Sequence, residues 1–173
     1  MTIIIDDAGS GDLLFGVVIG AYRSETQEFR YGVVSVKYFQ SARFLRKDYL
    51  KQASKTVFQL LDILHFKKHE PIMICKGYIF DRAVKDLQKK YGDSPIDRIK
   101  VTGESQRLTE IAYLDEIRNL GYEPLKEREE KRAKSFFHML RWLKENPDMI
   151  KYAKTGWPRL SKYRLFRRSA RKF

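Results

Sequence analysis

A chain of 173 residues, 43% of them hydrophobic, holds one domain with a sizeable core and leaves no room for a second independent core. No apolar run reaches the roughly 18 residues of a membrane span, no secretory pattern opens the chain, and a single cysteine, Cys75, excludes an intrachain disulfide and fits a reducing cytoplasm. The 35 Lys and Arg against 22 Asp and Glu leave a net charge of +13, which points to a polyanionic partner, nucleic acid foremost.

The chain opens MTIIIDDAGSGDLLFGVVIGAY. Its isoleucine run predicts a buried strand over 2–5, and the apolar stretch after the Gly-Ser-Gly turn predicts a second over 13–22. A polar turn at 24–28 precedes a third strand over 31–39, which carries Val33, Val34 and Val36. The short connections make these three an antiparallel meander. Leu50, Ala53, Val57, Leu60, Leu61 and Leu64 then recur at spacings of three and four, the apolar face of one helix within 43–66. His65 at its end suits the negative end of the helix dipole.

After Pro71 the stretch IMICKGYIF predicts a fourth strand, apolar enough to be central. A short helix follows from Asp81, stopped by Gly92, and then a fifth strand over 97–101. Thr102-Gly-Glu-Ser opens a helix that runs to Leu120 and is stopped by Gly121. A brief extended piece at 122–125 leads to a helix over 126–145, with Ala133, Phe136, Phe137, Leu140 and Leu143 on one face and Asn146-Pro147 at its end. Such an order specifies an α/β fold: a mixed sheet of a three-strand antiparallel meander plus parallel strands, flanked by helices. The first strand is expected to be central, with Asp6 and Asp7 at its C-terminal end, where functional groups gather in such sheets.

Composition shifts at the end of the chain, so a domain over 1–146 and a basic aromatic extension over 147–173 are expected. After Asp148 there is no acidic residue. Lys154, Arg159, Lys162, Arg164, Arg167 and Arg168 are expected to pair with phosphates, since release of condensed counterions drives such binding. Trp157, within Lys-Thr-Gly-Trp-Pro, can stack on an unpaired base or lock a turn into the core, and the sequence leaves both open.

Two adjacent carboxylates with no basic neighbour in sequence repel each other, and a divalent cation between them relieves that cost. Mg²⁺ takes oxygen ligands and keeps several waters, so one or two carboxylates plus a substrate phosphate suffice. The glycines on either side of Ser10 let a phosphate backbone approach. The competing reading makes Asp6 and Asp7 turn-forming residues bonded to local N–H groups.

The segment IIIDDAGSGDLLFGVVIGAY resembles the first motif of the ribonuclease H-like superfamily: a strand ending in Asp, a glycine-containing turn, then a hairpin strand. It is most similar to type 2 ribonuclease H, whose motif reads Asp-Glu-Ala-Gly-Arg-Gly, against Asp6-Asp7-Ala8-Gly9-Ser10-Gly11 here. Ser10 thus stands where the family has an arginine that grips nucleic acid. The resemblance implies a metal-dependent nuclease or resolvase using Mg²⁺ or Mn²⁺, and resolvase-like members that act in pairs make a homodimer one expectation. The family carries a further acid near the end of its fourth strand, where this chain has Lys76. Asp81 is the first acid beyond it, Glu104 follows the fifth strand, and Glu130, with Glu127 and Glu129 beside it, stands where a late helical acid is expected. The expected catalytic set is Asp6, Asp7, Glu104 and Glu130, with Asp6, Asp7 and Asp81 as metal ligands and Ser10 and the tail as the nucleic-acid surface. Two rivals stay open: a non-catalytic nucleic-acid-binding module on the same fold, and an assembly protein whose tail anchors it to RNA.

Overall fold

Ile3, Ile4 and Ile5 enter the middle of a five-stranded sheet as strand β1 (Ile3–Ala8). The computed structural model describes the backbone of residues 1–169 and the side chains of residues 1–167. β1 pairs antiparallel with β2 (Val17–Arg23), which pairs antiparallel with β3 (Glu28–Val34). On its other side β1 runs parallel to β4 (Ile72–Cys75), and β4 parallel to β5 (Ile96–Ile99). The order across the sheet is β3-β2-β1-β4-β5, so the expected meander and parallel pair are both present and β1 is central.

Alternation along the strands divides two cores. Ile3 and Ile5, with Ile72 and Ile74 of β4, are fully buried against helices α2 (Asp48–Ile63) and α3 (Asp81–Lys90). Val57, Leu60 and Leu61 supply the helical side of that core, as their spacing requires. On the opposite face Ala8 and Val18 join Ala112, Tyr113 and Ile117 of α4 (Glu104–Asn119) and Met139, Leu140 and Leu143 of α5 (Arg132–Glu145).

Several boundaries differ from the sequence reading. The fourth strand, expected to run on to Phe80, stops at Cys75, and Tyr78–Phe80 forms a 3-10 turn after Gly77. The helix expected within 43–66 is broken into α1 (Ser41–Leu45) and α2, because Lys47 takes a left-handed conformation at φ 57°. The third strand starts earlier and stops at Val34, and Val36–Phe39 forms a 3-10 turn after Ser35, whose hydroxyl accepts from the Lys37 N–H. The second strand begins at Val17, because Leu14 instead bridges to Ala153. The last long helix begins at Arg132: residues 126–131 form turns that carry the Arg128 side chain inward.

The basic segment after Asn146 packs as part of the second core. It comprises 3-10 turns at Pro147–Tyr152 and Pro158–Lys162 and a short helix α6 (Arg164–Ser169). Ala153, Trp157, Leu160 and Phe166 are buried with the residues of α4 and α5. Among the described residues, no helix is long and apolar enough to cross a membrane.

Candidate functional site

Parallel pairing of two apolar runs builds the site. The register that sets Ile5 beside Ile74 brings Asp6 and Cys75 out of their strands side by side. Asp7 follows, and the turn beginning at Gly9 swings the chain away. Gly9 takes φ 88°, and a Cβ there would lie 2.3 Å from the Tyr113 ring, so both conformation and space demand glycine. Ligand atoms of Asp6, Asp7 and Cys75 all lie within 4.8 Å of one another. Neighbours on a strand ordinarily point apart, yet at this strand end the two carboxylates stay within reach of one cation.

These groups line a cavity of about 250 Å³ together with Ser10, Lys100, Glu110, Glu129 and Arg132. Asp6 is buried, and its burial pushes its carboxyl above the usual range. The Asp7 N–H and the Cys75 thiol oppose that rise, while the nearby negative charge of Glu129 adds to it. Burial likewise pushes Asp7 up to about 6; the Ser10 hydroxyl pulls it down, the Asp6 charge raises it further, and Arg132 lowers it. Burial first, and then the two aspartates, push the Cys75 thiol up to about 11. At neutral pH Cys75 is therefore an S–H donor and not a thiolate.

Behind the acids lies a second charged layer. Arg128, buried, bridges Asp12 and Glu110, and its guanidinium lies 5.0 Å from the centre of the Tyr113 ring. Tyr113 donates to the Leu14 carbonyl at 3.0 Å. Lys154 is fully buried and donates to the carbonyls of Asp12 at 2.7 Å and Leu14 at 3.3 Å. Burial pushes its ammonium down to about 7, with Asp12 acting against the shift and Arg128 reinforcing it.

The structure assembles part of the expected site and disperses the rest. Asp6 and Asp7 come together, and Ser10 lines the cavity with its hydroxyl on Asp7. Asp81 lies elsewhere, bonded by Arg98 at 2.7 Å in a link that ties β5 to the start of α3. Glu104 is exposed at the start of α4 and paired with Arg107 at 2.6 Å, outside the cavity. Glu130 sits on a turn instead of a helix and lines an adjoining depression with Lys126 and Arg107, not the cavity itself. Glu129, its neighbour, takes the cavity position.

The tail divides as well. Lys154 is spent on two backbone carbonyls and is inaccessible to phosphate, which corrects its assignment to the nucleic-acid surface. Trp157 is 8% exposed, so it serves chiefly as core, with Arg159 stacked on it at 4.4 Å from the ring centre. Arg159, Lys162, Arg164 and Arg167 are exposed, Arg167 donating to the Lys162 carbonyl at 3.1 Å, while the Arg168 side chain is outside the described residues.

Sequence reasoning missed Cys75 as a site residue, along with Glu110, Arg128 and Arg132. One signal was present for Cys75: IMIC follows the pattern of IIID, so pairing the two runs sets the cysteine beside Asp6. Arg128 and Glu110 had none, since only packing joins them to the turn after β1.

As a potential cation site, two carboxylates in a cavity that also holds Glu129, Lys100 and Arg132 match the oxygen preference of Mg²⁺ and Mn²⁺ and leave room for a phosphate oxygen. Sulfur is a poor donor to a hard cation, so the oxygen donors such a cation would meet are the two aspartates, with Glu129 nearby. Comparison with protein-family models, with curated proteins and with solved structures finds no match to this chain.

Proposed function

We propose that this chain is a ribonuclease H-like, metal-dependent phosphodiester hydrolase acting on nucleic acid. The observation that carries the reading is the convergence of Asp6 and Asp7 within one cation's reach at the C-terminal end of the central strand, in a cavity also lined by Lys100 and Arg132. The order of meander strands and parallel strands agrees with what the motif resemblance implies. A net charge of +13 supplies the attraction for a polyanion, and Arg159, Lys162, Arg164 and Arg167 offer it phosphate partners.

In this reading Asp6 and Asp7 hold Mg²⁺ or Mn²⁺, which when bound supplies an activated water and charge stabilisation at the reacting phosphorus. The protein's own groups prepare that chemistry. The Ser10 hydroxyl and Arg132 favour the ionised form of Asp7. Arg132 and Lys100 place positive charge where the phosphodiester enters. Buried Tyr113 and Arg128 hold the turn that follows the aspartates.

One observation favours a second reading, a binding module without catalysis: the group beside Asp6 on β4 is a cysteine thiol and not a carboxylate. A single experiment separates the two. Labelled DNA and RNA substrates, including duplexes, hybrids and branched forms, are incubated with Mg²⁺, Mn²⁺ or EDTA. The hydrolase reading expects cleavage of some substrate with metal only, a loss of a hundred-fold or more in Asp6→Asn, and a gain in Cys75→Asp with Mg²⁺. Gel shifts that persist in EDTA and in Asp6→Asn, with no cleavage by wild type or Cys75→Asp, establish the binding module instead.

A further inference from the structure

Beside the carboxylate cavity is a second, more open depression of about 540 Å³, lined by Ser10, Gly11, Tyr78, Arg132, Trp157 and Arg159. Ser10, Gly11 and Arg132 belong to both, so the two are one continuous surface with Arg132 at the junction. One wall is Tyr78, which is 49% exposed although large and aromatic. Its ring meets Tyr49 edge-on, at 85° and 6.1 Å between centres. The other wall is Arg159, exposed and laid over the ring of Trp157, which is itself packed into the core. Tyr78 follows Gly77, where a Cβ would lie 3.1 Å from the Asp7 carboxylate, so the ring-bearing turn adjoins the acids.

The basic wall is fixed to the turn that holds the aspartates. Ala153 bridges to Leu14, and Lys154 is bonded to Asp12 and Leu14. Gly156 donates to the Phe39 carbonyl at 2.9 Å, and a Cβ at 156 would lie 2.5 Å from the side chain of Phe44. The segment that presents Trp157 and Arg159 therefore keeps its distance from Asp6 and Asp7 before any ligand arrives, a preorganisation that lowers the entropic cost of binding.

A half-exposed aromatic ring and a stacked guanidinium lining one depression, next to a site for phosphate, suit a base whose face is free. Bases inside a duplex offer only their edges to the grooves, whereas unpaired bases stack on aromatic and guanidinium planes. The volume is that of a small-ligand site, enough for one nucleotide. We infer that this depression is a subsite for an unpaired nucleotide flanking the scissile phosphate, its base held between Tyr78 and Arg159 and its phosphate by Arg132, so that single-stranded, flapped or branched nucleic acid is preferred over continuous duplex. The inference rests on the nucleic-acid reading above but not on catalysis.

The test is equilibrium binding of the full chain carrying Asp6→Asn, in EDTA, so that cleavage plays no part. Fluorescence anisotropy is measured on one labelled sequence as single strand, blunt duplex and duplex with a single-stranded flap, in DNA and in RNA. Single strand and flap are expected to bind about ten-fold tighter than blunt duplex in at least one of the two. Tyr78→Ala is expected to remove most of that preference while leaving duplex affinity within about two-fold, Arg159→Ala to remove it while also weakening duplex binding through the lost charge, and Tyr78→Phe to keep it. Circular dichroism melting checks that each variant is folded, and Arg159→Lys, which keeps the charge but loses the plane, serves if an alanine variant is not. Duplex bound as tightly as single strand, or a preference untouched by the variants, overturns the subsite. Failure of the hydrolase reading has a different mark, absence of cleavage by wild type with metal.

Discussion

Asp7 occupies a position where folding and ion binding oppose each other. Its carboxyl titrates at about 6 in the folded chain against an ordinary value of 3.8, chiefly because it is buried. The folded state thus holds a proton that the unfolded chain has released, so the stability this group contributes is present below about pH 4 and lost as pH rises through 6. Asp7→Asn is expected to stabilise the metal-free protein at pH 7.5 by roughly 1–2 kcal/mol, after allowance for partial exposure, with a much smaller gain at pH 4.5. Urea denaturation in EDTA at the two pH values measures it, and a gain that is larger at the acidic pH sinks the assignment. Divalent cations act in the opposite sense, since binding needs the carboxylate: uptake of Mn²⁺ by calorimetry is expected to strengthen from pH 5 to pH 7. Asp6 and Asp7 were legible in the sequence because adjacent acids at the end of an isoleucine run are rare and local. Cys75 was not, because its importance comes from lying next to Asp6 across a strand pairing.

At the scale of elements, the segment from Pro147 to Ser169 overturns the most natural inference from its composition. Its basic residues suggest a solvated arm, yet Ala153, Trp157, Leu160 and Phe166 complete the core formed by α4 and α5. Truncation after Asn146 is therefore expected to lower the melting temperature by well over ten degrees and to raise binding of a hydrophobic dye, because several buried side chains at about 1.5–3 kcal/mol each are removed. An unchanged melt would restore the picture of an independent tail. Lys154 is the anchor of this segment, and its sign is opposite to that of Asp7. Its folded value of about 7 lies below the ordinary 10.5, so the unfolded chain holds the proton more tightly and stability rises with pH between 7 and 10.5. Lys154→Met is expected to flatten that rise, read as the difference between variant and wild type in denaturation midpoints at pH 7 and pH 9.5. A slope identical in the two proteins would show that the ammonium is solvated. Residues 126–131 show the same override of local pattern: their composition suits a helical first turn, but the Arg128 side chain is drawn to Asp12 and Glu110 and the helix starts at Arg132.

For the whole molecule, the net charge of +13 sets how binding responds to salt. Affinity for nucleic acid is expected to fall steeply between 50 and 200 mM salt, with a log–log slope near −0.9 for each phosphate neutralised on duplex DNA. Alanine at each of Arg159, Lys162, Arg164 and Arg167 is expected to reduce the slope by about one, whereas Lys154→Met leaves it unchanged because that charge never meets solvent. A flat salt response counts against nucleic acid as the partner. What the sequence by itself determined is the set of features that depend on near neighbours. The short apolar runs IIID and IMIC, periodicity of three and four around Val57 and Leu61, and Gly and Pro at the breaks were enough for the strands, most of the helices and the mixed sheet. Tertiary structure alone decided which charges matter. Lys154 and Lys162 look alike in sequence; one is sealed beneath the turn after β1 and the other faces water. Glu104, Asp81 and Glu130 look as suitable as Glu129, but only Glu129 reaches the cavity of the aspartates. The reason is physical: local pattern reports which face of an element is buried, while the partner of a charged group is set by long-range packing that no spacing along the chain encodes.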